Sequence, residues 1–203
     1  MNSPQDASIL ELIKLPTAAL RDRLLDLFCQ AAYQEGDFVL SSGQKSTYYI
    51  NGKQVTLHPD GAVLVGRLLL ERLPEKTTAI AGLTLGADPM VTAVSVVAAY
   101  TGQRITPLIV RKEAKGHGTR AYIEGPTLPE GSPVVVLEDV VTTGQSAWKA
   151  VERLRMAGYE VTHILALVDR QQGGAEFYAE KGLTFDALFA IADLQAHYAQ
   201  IQG

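Results

Sequence analysis

A chain of 203 residues, 47% of them hydrophobic, is long enough to bury a sizeable core as one domain. Its net charge of −4 and pI near 5.6 exclude a general binder of nucleic acid or of anionic membrane, so any anion must be bound locally. No apolar run approaches the roughly 20 residues of a membrane span, and the opening MNSPQDASILELIK lacks the order of a secretory signal. With Cys29 as the single cysteine there is no intrachain disulfide, a cysteine-built zinc site is disfavoured, and the expected setting is cytoplasmic.

Apolar segments of strand length alternate with segments of helical period, which predicts the α/β class. The first helix is expected over Thr17 to Gln34, with Leu20, Leu24, Leu27, Phe28 and Ala31 on one face. Phe38–Leu40 and Thr47–Asn51 flank the polar turn Ser41-Ser42-Gly43-Gln44 and read as a short hairpin. A helix near Asp60–Arg72, a strand at Ala79–Gly82 and a helix near Asp88–Tyr100 follow. Ile105–Val110, Val134–Glu138 and Ile164–Val168 are runs of Val, Ile and Leu without alternation, as a mainly parallel sheet covered by helices on both faces requires. The site of such a sheet lies at the carboxyl ends of its strands.

The segment VVVLEDVVTTGQSAW, Val134 to Trp148, is an apolar strand, an acidic pair, and a small-residue turn before a helix. Val140 and Val141 lead into Thr142, Thr143, Gly144, Gln145 and Ser146, whose N–H groups and hydroxyls suit a phosphate at the positive end of that helix. Glu138 and Asp139 suit vicinal sugar hydroxyls and a magnesium ion held through water rather than directly. An ordinary helix cap beside two solvated acids would use the same residue types.

In RKEAKGHGTR, Arg111 to Arg120, four cations face the single Glu113, and Gly116 and Gly118 mark a loop. The segment reads as a cationic lid over an anion, against the plainer reading of a solvated charge run. Gly82 to Pro89, GLTLGADP, is a strand-to-helix turn with the makings of a backbone nest for an anion.

The Val134–Trp148 string resembles the phosphoribosyl pyrophosphate (PRPP) motif of the type I phosphoribosyltransferases, and RKEAKGHG resembles the catalytic loop of the orotate phosphoribosyltransferases. FVLSSGQKSTYYIN, Phe38 to Asn51, is similar to that family's hood over the base, and Asp169-Arg170-Gln171 to a further family segment. The resemblance runs from about Thr17 to Leu194. It implies the type I phosphoribosyltransferase fold, with an amino-terminal helix and small hood over residues 1–58 and a core over 59–203.

The activity implied is transfer of the phosphoribosyl group of PRPP to orotate, giving orotidine 5'-monophosphate and pyrophosphate in pyrimidine (UMP) synthesis, with Mg2+ as cofactor. Residue by residue, Lys115, Arg111 and Lys112 would hold the pyrophosphate and His117 would contact it or lie near the base, with Lys115, His117 and Asp139 as the catalytic set. Arg170, Tyr49 and Thr142 would hold orotate, Arg170 by pairing with its carboxylate. A homodimer is also implied, with the Arg111–Arg120 loop reaching the neighbouring site. The sequence departs from part of the family at Ser41 and Gly86, where many or some members carry Lys. Transfer to another base, or a non-catalytic regulator on the same fold, are the rival readings.

Overall fold

The computed structural model describes residues 12, 14–39, 43, 45–115 and 121–202. Helix α1 (Thr17–Leu27) buries Leu20, Leu24 and Leu25 and passes into one π-helical turn, Phe28–Ala32. The helix stops short of the expected Gln34 because Tyr33 already pairs with Ile50, so that β1 (Tyr33–Val39) and β2 (Lys45–Ile50) form an antiparallel ribbon. Helical periodicity is silent about such a change when the next residue, Tyr33, is itself buried and apolar. Leu40 of the expected strand and Ser41, Ser42 and Gln44 of the expected turn lie outside the described residues. The Cys29 thiol is buried against the Leu194 carbonyl at 3.5 Å, and burial, reinforced by Asp26, pushes its pKa up to about 11.

Helices α2 (Lys53–Thr56) and α3 (Pro59–Leu70) lead to β3 (Ala79–Leu83) and α4 (Asp88–Tyr100). Pro59 opens α3, where its missing N–H costs nothing, and His58 accepts from the Asp60 N–H at 3.2 Å. Gly61, Leu64, Val65, Leu68 and Leu69 then recur at helical spacing and bury one face. β4 (Thr106–Val110), β5 (Ile123–Glu124), β6 (Pro133–Val141), α5 (Gln145–Met156), β7 (Glu160–Asp169), α6 (Gly174–Glu180), β8 (Thr184–Ala190) and α7 (Ile191–Gln202) complete the order.

The six-stranded sheet runs β5-β4-β3-β6-β7-β8, parallel except for β5. Val135, Leu137 and the apolar faces of α1, α3 and α4 form the core on one side, while Val134 and Val136 pack with α5 and α6 on the other. The mainly parallel sheet flanked by helices is therefore as the apolar runs predict. Among the described residues no helix is long and apolar enough to cross a membrane. From β3 the chain first turns to β4 on one side and then to β6 on the other. That reversal opens a crevice beyond the carboxyl ends of β3 and β6, the position where sheets of this kind take ligands.

Candidate active site

Four of the segments singled out in the sequence end at this crevice: the turn after β3, the cations after β4, the Thr-rich loop after β6, and Arg170 after β7. The β6–α5 loop is the most firmly built. Gly144 sits at φ 82°, a left-handed conformation that side chains rarely adopt, and a Cβ there would fall 2.8 Å from the Tyr178 ring. No side chain caps α5, so its first N–H groups face no competitor of their own. The loop from Thr142 to Ser146 lines a cavity of ≈ 90 Å³ together with Glu138, Val140, Val141 and Tyr178.

The expected strand ends at Glu138, but β6 continues through Val141 and so sends the two acids to opposite faces. Glu138 is buried beneath the loop, where its Oε2 and the Tyr178 hydroxyl are both without a hydrogen-bond partner among the described residues. Burial first, and the neighbouring Asp139 charge second, hold the Glu138 carboxyl well above the usual range, while Lys112 acts weakly the other way. The Tyr178 phenol is raised by burial and then by the charges of Glu138 and Asp169. Asp139 lies in a notch on the other face. A Cβ at Gly52 would come 2.8 Å from its Oδ2, and one at Gly86 2.8 Å from its Oδ1. Gly52 and Gly86 together thus leave room for this carboxylate. Among the described residues no three His, Cys, Asp or Glu side chains are grouped to hold a metal.

The cations leave β4 along a narrow stem. The Arg111 N–H donates to the Tyr122 carbonyl and the Lys115 N–H to the Ala121 carbonyl, each at 2.8 Å. Glu124 pairs with Arg111 at 3.0 Å and with Lys115 at 3.9 Å. The hydrogen bond from Arg111, followed by the Lys115 charge, holds the Glu124 carboxyl below its usual range. Gly116, His117, Gly118, Thr119 and Arg120 lie outside the described residues, and the expectation for His117 with them.

Arg170 is buried rather than part of a surface ion pair. Its Nε donates to the Tyr48 hydroxyl at 3.3 Å and its Nη2 to Ser46 Oγ at 3.4 Å, with the guanidinium 4.7 Å from the Tyr48 ring centroid. Ser46 and Tyr48 share one face of β2, so Tyr49 projects from the opposite face, where it packs on Phe38 with ring centroids 5.7 Å apart. Arg170 and Tyr49, both expected at the base, are therefore not side by side.

Residues 51–187 match the family model described as the phosphoribosyl transferase domain. The orotate phosphoribosyltransferase of Nostoc sp. is 70% identical over 184 residues, which cover 91% of this chain and 89% of that one. The chain belongs to the orotate phosphoribosyltransferases. Among solved members, the orotate phosphoribosyltransferase of Mycobacterium tuberculosis in complex with Fe(III) dicitrate superposes with a TM-score of 0.77 at 38% identity, covering 86% of this chain and 98% of that one. The same enzyme in complex with PRPP gives 0.73 at 34% identity, covering 87% and 99%. Within this member of the orotate phosphoribosyltransferases, Gly52, Glu124 and Tyr178 shape the site although no motif of the sequence marks them as a group. Only Gly52, a glycine directly after the expected strand Thr47–Asn51, carries a visible signal in the sequence.

Proposed function

We propose that the chain transfers the phosphoribosyl group of PRPP to orotate, releasing pyrophosphate and forming orotidine 5'-monophosphate for pyrimidine synthesis. The observation that carries this reading is the meeting, at one topological crevice, of an uncapped helix terminus behind Gly144, two carboxylates, a cationic stem and a buried arginine. The PRPP complex of the Mycobacterium tuberculosis relative supports the same donor.

The loop from Thr142 to Ser146, with Val140 and Val141 leading into it, holds the ribose phosphate through N–H groups and hydroxyls. Glu138 and Asp139 take the ribose hydroxyls. As the bond from the anomeric carbon to the pyrophosphate oxygen breaks and the bond to the orotate ring nitrogen forms, negative charge gathers on the departing pyrophosphate. Arg111, Lys112, Lys115 and His117 neutralise it, Lys115 most directly. Arg170 pairs with the orotate carboxylate, and Tyr49 and Thr142 complete the base site. Ionised orotate is already nucleophilic, so no general base is required.

Magnesium would be held mainly by the substrate's oxygens, with Asp139, and Glu138 once it releases the proton that burial favours, reaching it through water; among the described residues no three acids or histidines form a cage for it. When bound, it supplies charge neutralisation on the pyrophosphate. The enzyme works in the cytoplasm as a homodimer, with the Arg111–Arg120 loop reaching the neighbouring site. Leu57, Leu85 and Val96, exposed around an apolar groove between α3 and α4, support such an interface.

The test is the loss of orotate absorbance on mixing the protein with orotate, PRPP and magnesium, with uracil and hypoxanthine as competing bases. PRPP-dependent consumption of orotate is the expected result. Turnover of another base would overturn the base assignment, and PRPP binding without turnover would favour a regulator.

A further inference from the structure

One side chain of α5 ties the cationic stem to the helix that carries the phosphate loop. Arg153 lies about two turns beyond Gln145, the first residue of α5. Its Nη1 donates to the Arg111 carbonyl, and its Nη2 donates to the Lys112 carbonyl at 2.9 Å. The same guanidinium lies 4.2 Å from the centroid of the Tyr122 ring. Tyr122 in turn accepts the Arg111 N–H through its carbonyl. A single planar group thus grips both sides of the stem, two consecutive carbonyls just beyond β4 and an aromatic face just before β5.

A surface arginine that served only charge balance would sit against a carboxylate. Backbone carbonyls instead fix where a chain runs, and the five donors of a guanidinium suit two neighbouring acceptors in a way that an ammonium does not. Because α5 is one rigid element, its amino terminus and Arg153 stand at a set separation.

Resting on the function proposed above, we propose that Arg153 is a positioning residue of the reaction. It fixes the Arg111–Lys115 cations relative to the Thr142–Ser146 loop, so that the phosphate and pyrophosphate ends of PRPP meet their partners together. Arg153 itself touches neither substrate.

The experiment compares the parent enzyme with Arg153→Gln and Arg153→Lys. The readings are kcat, melting temperature, and calorimetric affinities for magnesium pyrophosphate and for ribose 5-phosphate. Arg153→Gln is expected to lower kcat by roughly tenfold to a hundredfold, the scale of a mis-set reacting geometry. It should weaken pyrophosphate severalfold while leaving ribose 5-phosphate and the melting temperature near the parent's, with Arg153→Lys recovering little. Adding Arg153→Gln to Lys115→Ala should cost less than it does alone, since both act through the same cations.

Unchanged kcat, or equal weakening of both ligands with a lowered melting temperature, overturns the assignment. Should Arg153→Gln fail to fold, Tyr122→Leu, which removes the ring but leaves α5 whole, reads the same split between the two ligands. If the parent consumes no orotate, the proposed function fails. The pyrophosphate and ribose 5-phosphate affinities would still decide the role of Arg153.

Discussion

The phosphate loop and the cationic stem flank the same crevice, yet they are held by different physics. The loop stands on buried matter: Tyr178 fills the space a Gly144 side chain would need, and Val141 and Glu138 are themselves out of solvent. The stem is held by backbone hydrogen bonds, by the Arg153 guanidinium at its base and, farther out, by side chains in water, with Lys115 73% exposed and Glu124 46% exposed. Packing of the first kind yields only to cavities and clashes. Ion pairs of the second kind are small and screened, so a multiply charged ligand can replace them. A site that must hold one end of its substrate and discharge the other is served by that division.

The comparison breaks most visibly at Lys115. Lys115→Ala should reduce kcat on the order of a hundredfold to a thousandfold, the usual cost of removing one donor to a developing charge. Its melting temperature should match the parent's, because so exposed a side chain contributes no packing. Turnover at the parent rate would remove the stem from the chemistry.

On the loop side the same test has the opposite character. Gly144→Ala adds a Cβ that strains the left-handed backbone and meets the Tyr178 ring at 2.8 Å. A cost of about 1–3 kcal/mol in stability is expected, together with a raised KM for PRPP. Thermal melts and steady-state kinetics read both, and a variant with parent stability would show that the loop relaxes freely.

How far the sequence reveals these two regions also differs. The loop was legible because strand, acids, small residues and helix occur in one continuous string, each with a local physical meaning. The α/β class was legible for the same reason, since Val134–Leu137 and Ile164–Val168 are the unalternating apolar runs that a doubly covered sheet requires. What escaped depends on residues far apart in the chain. Tyr178 reaches Gly144 only after α6 folds back, and Asp139 finds its notch between Gly52 and Gly86, which belong to separate elements. β5 has two residues, too few for any period, and β8 alternates as an edge strand does. The separation of Glu138 and Asp139 onto two faces turned on three residues of strand length, the quantity that patterns fix least well.

Glu138 sharpens the comparison at the buried end. Its folded pKa is raised above the ordinary value of 4.5, chiefly by burial. The folded protein therefore keeps this proton at pH values where the unfolded chain has released it. The associated stability is full below about 4.5 and is lost as pH rises through the folded pKa. Glu138→Gln, uncharged at every pH, should melt a few degrees above the parent at neutral pH, with the gain vanishing as pH falls toward 4.5. Parallel melting profiles for the two proteins across that range would refute a buried, proton-holding carboxyl.

Glu124 should give the smallest effect, and one of a different kind. Its carboxyl is stabilised in the ionised form by Arg111 and then Lys115, so the pair loses this attraction only at acid pH, as Glu124 protonates through its lowered pKa. At neutral pH a pyrophosphate approaching Arg111 and Lys115 must share them with Glu124. Glu124→Gln removes the competitor but leaves the Arg111–Tyr122 and Lys115–Ala121 backbone bonds that shape the stem. Affinity for magnesium pyrophosphate should then rise by a small factor at low ionic strength, with melting temperature unchanged. The difference should disappear in roughly 1 M salt, where the screening length is about 3 Å. Weaker binding at every salt concentration would mean that Glu124 aligns the cations rather than competing for them, and the stem would then resemble the loop more than its exposure suggests.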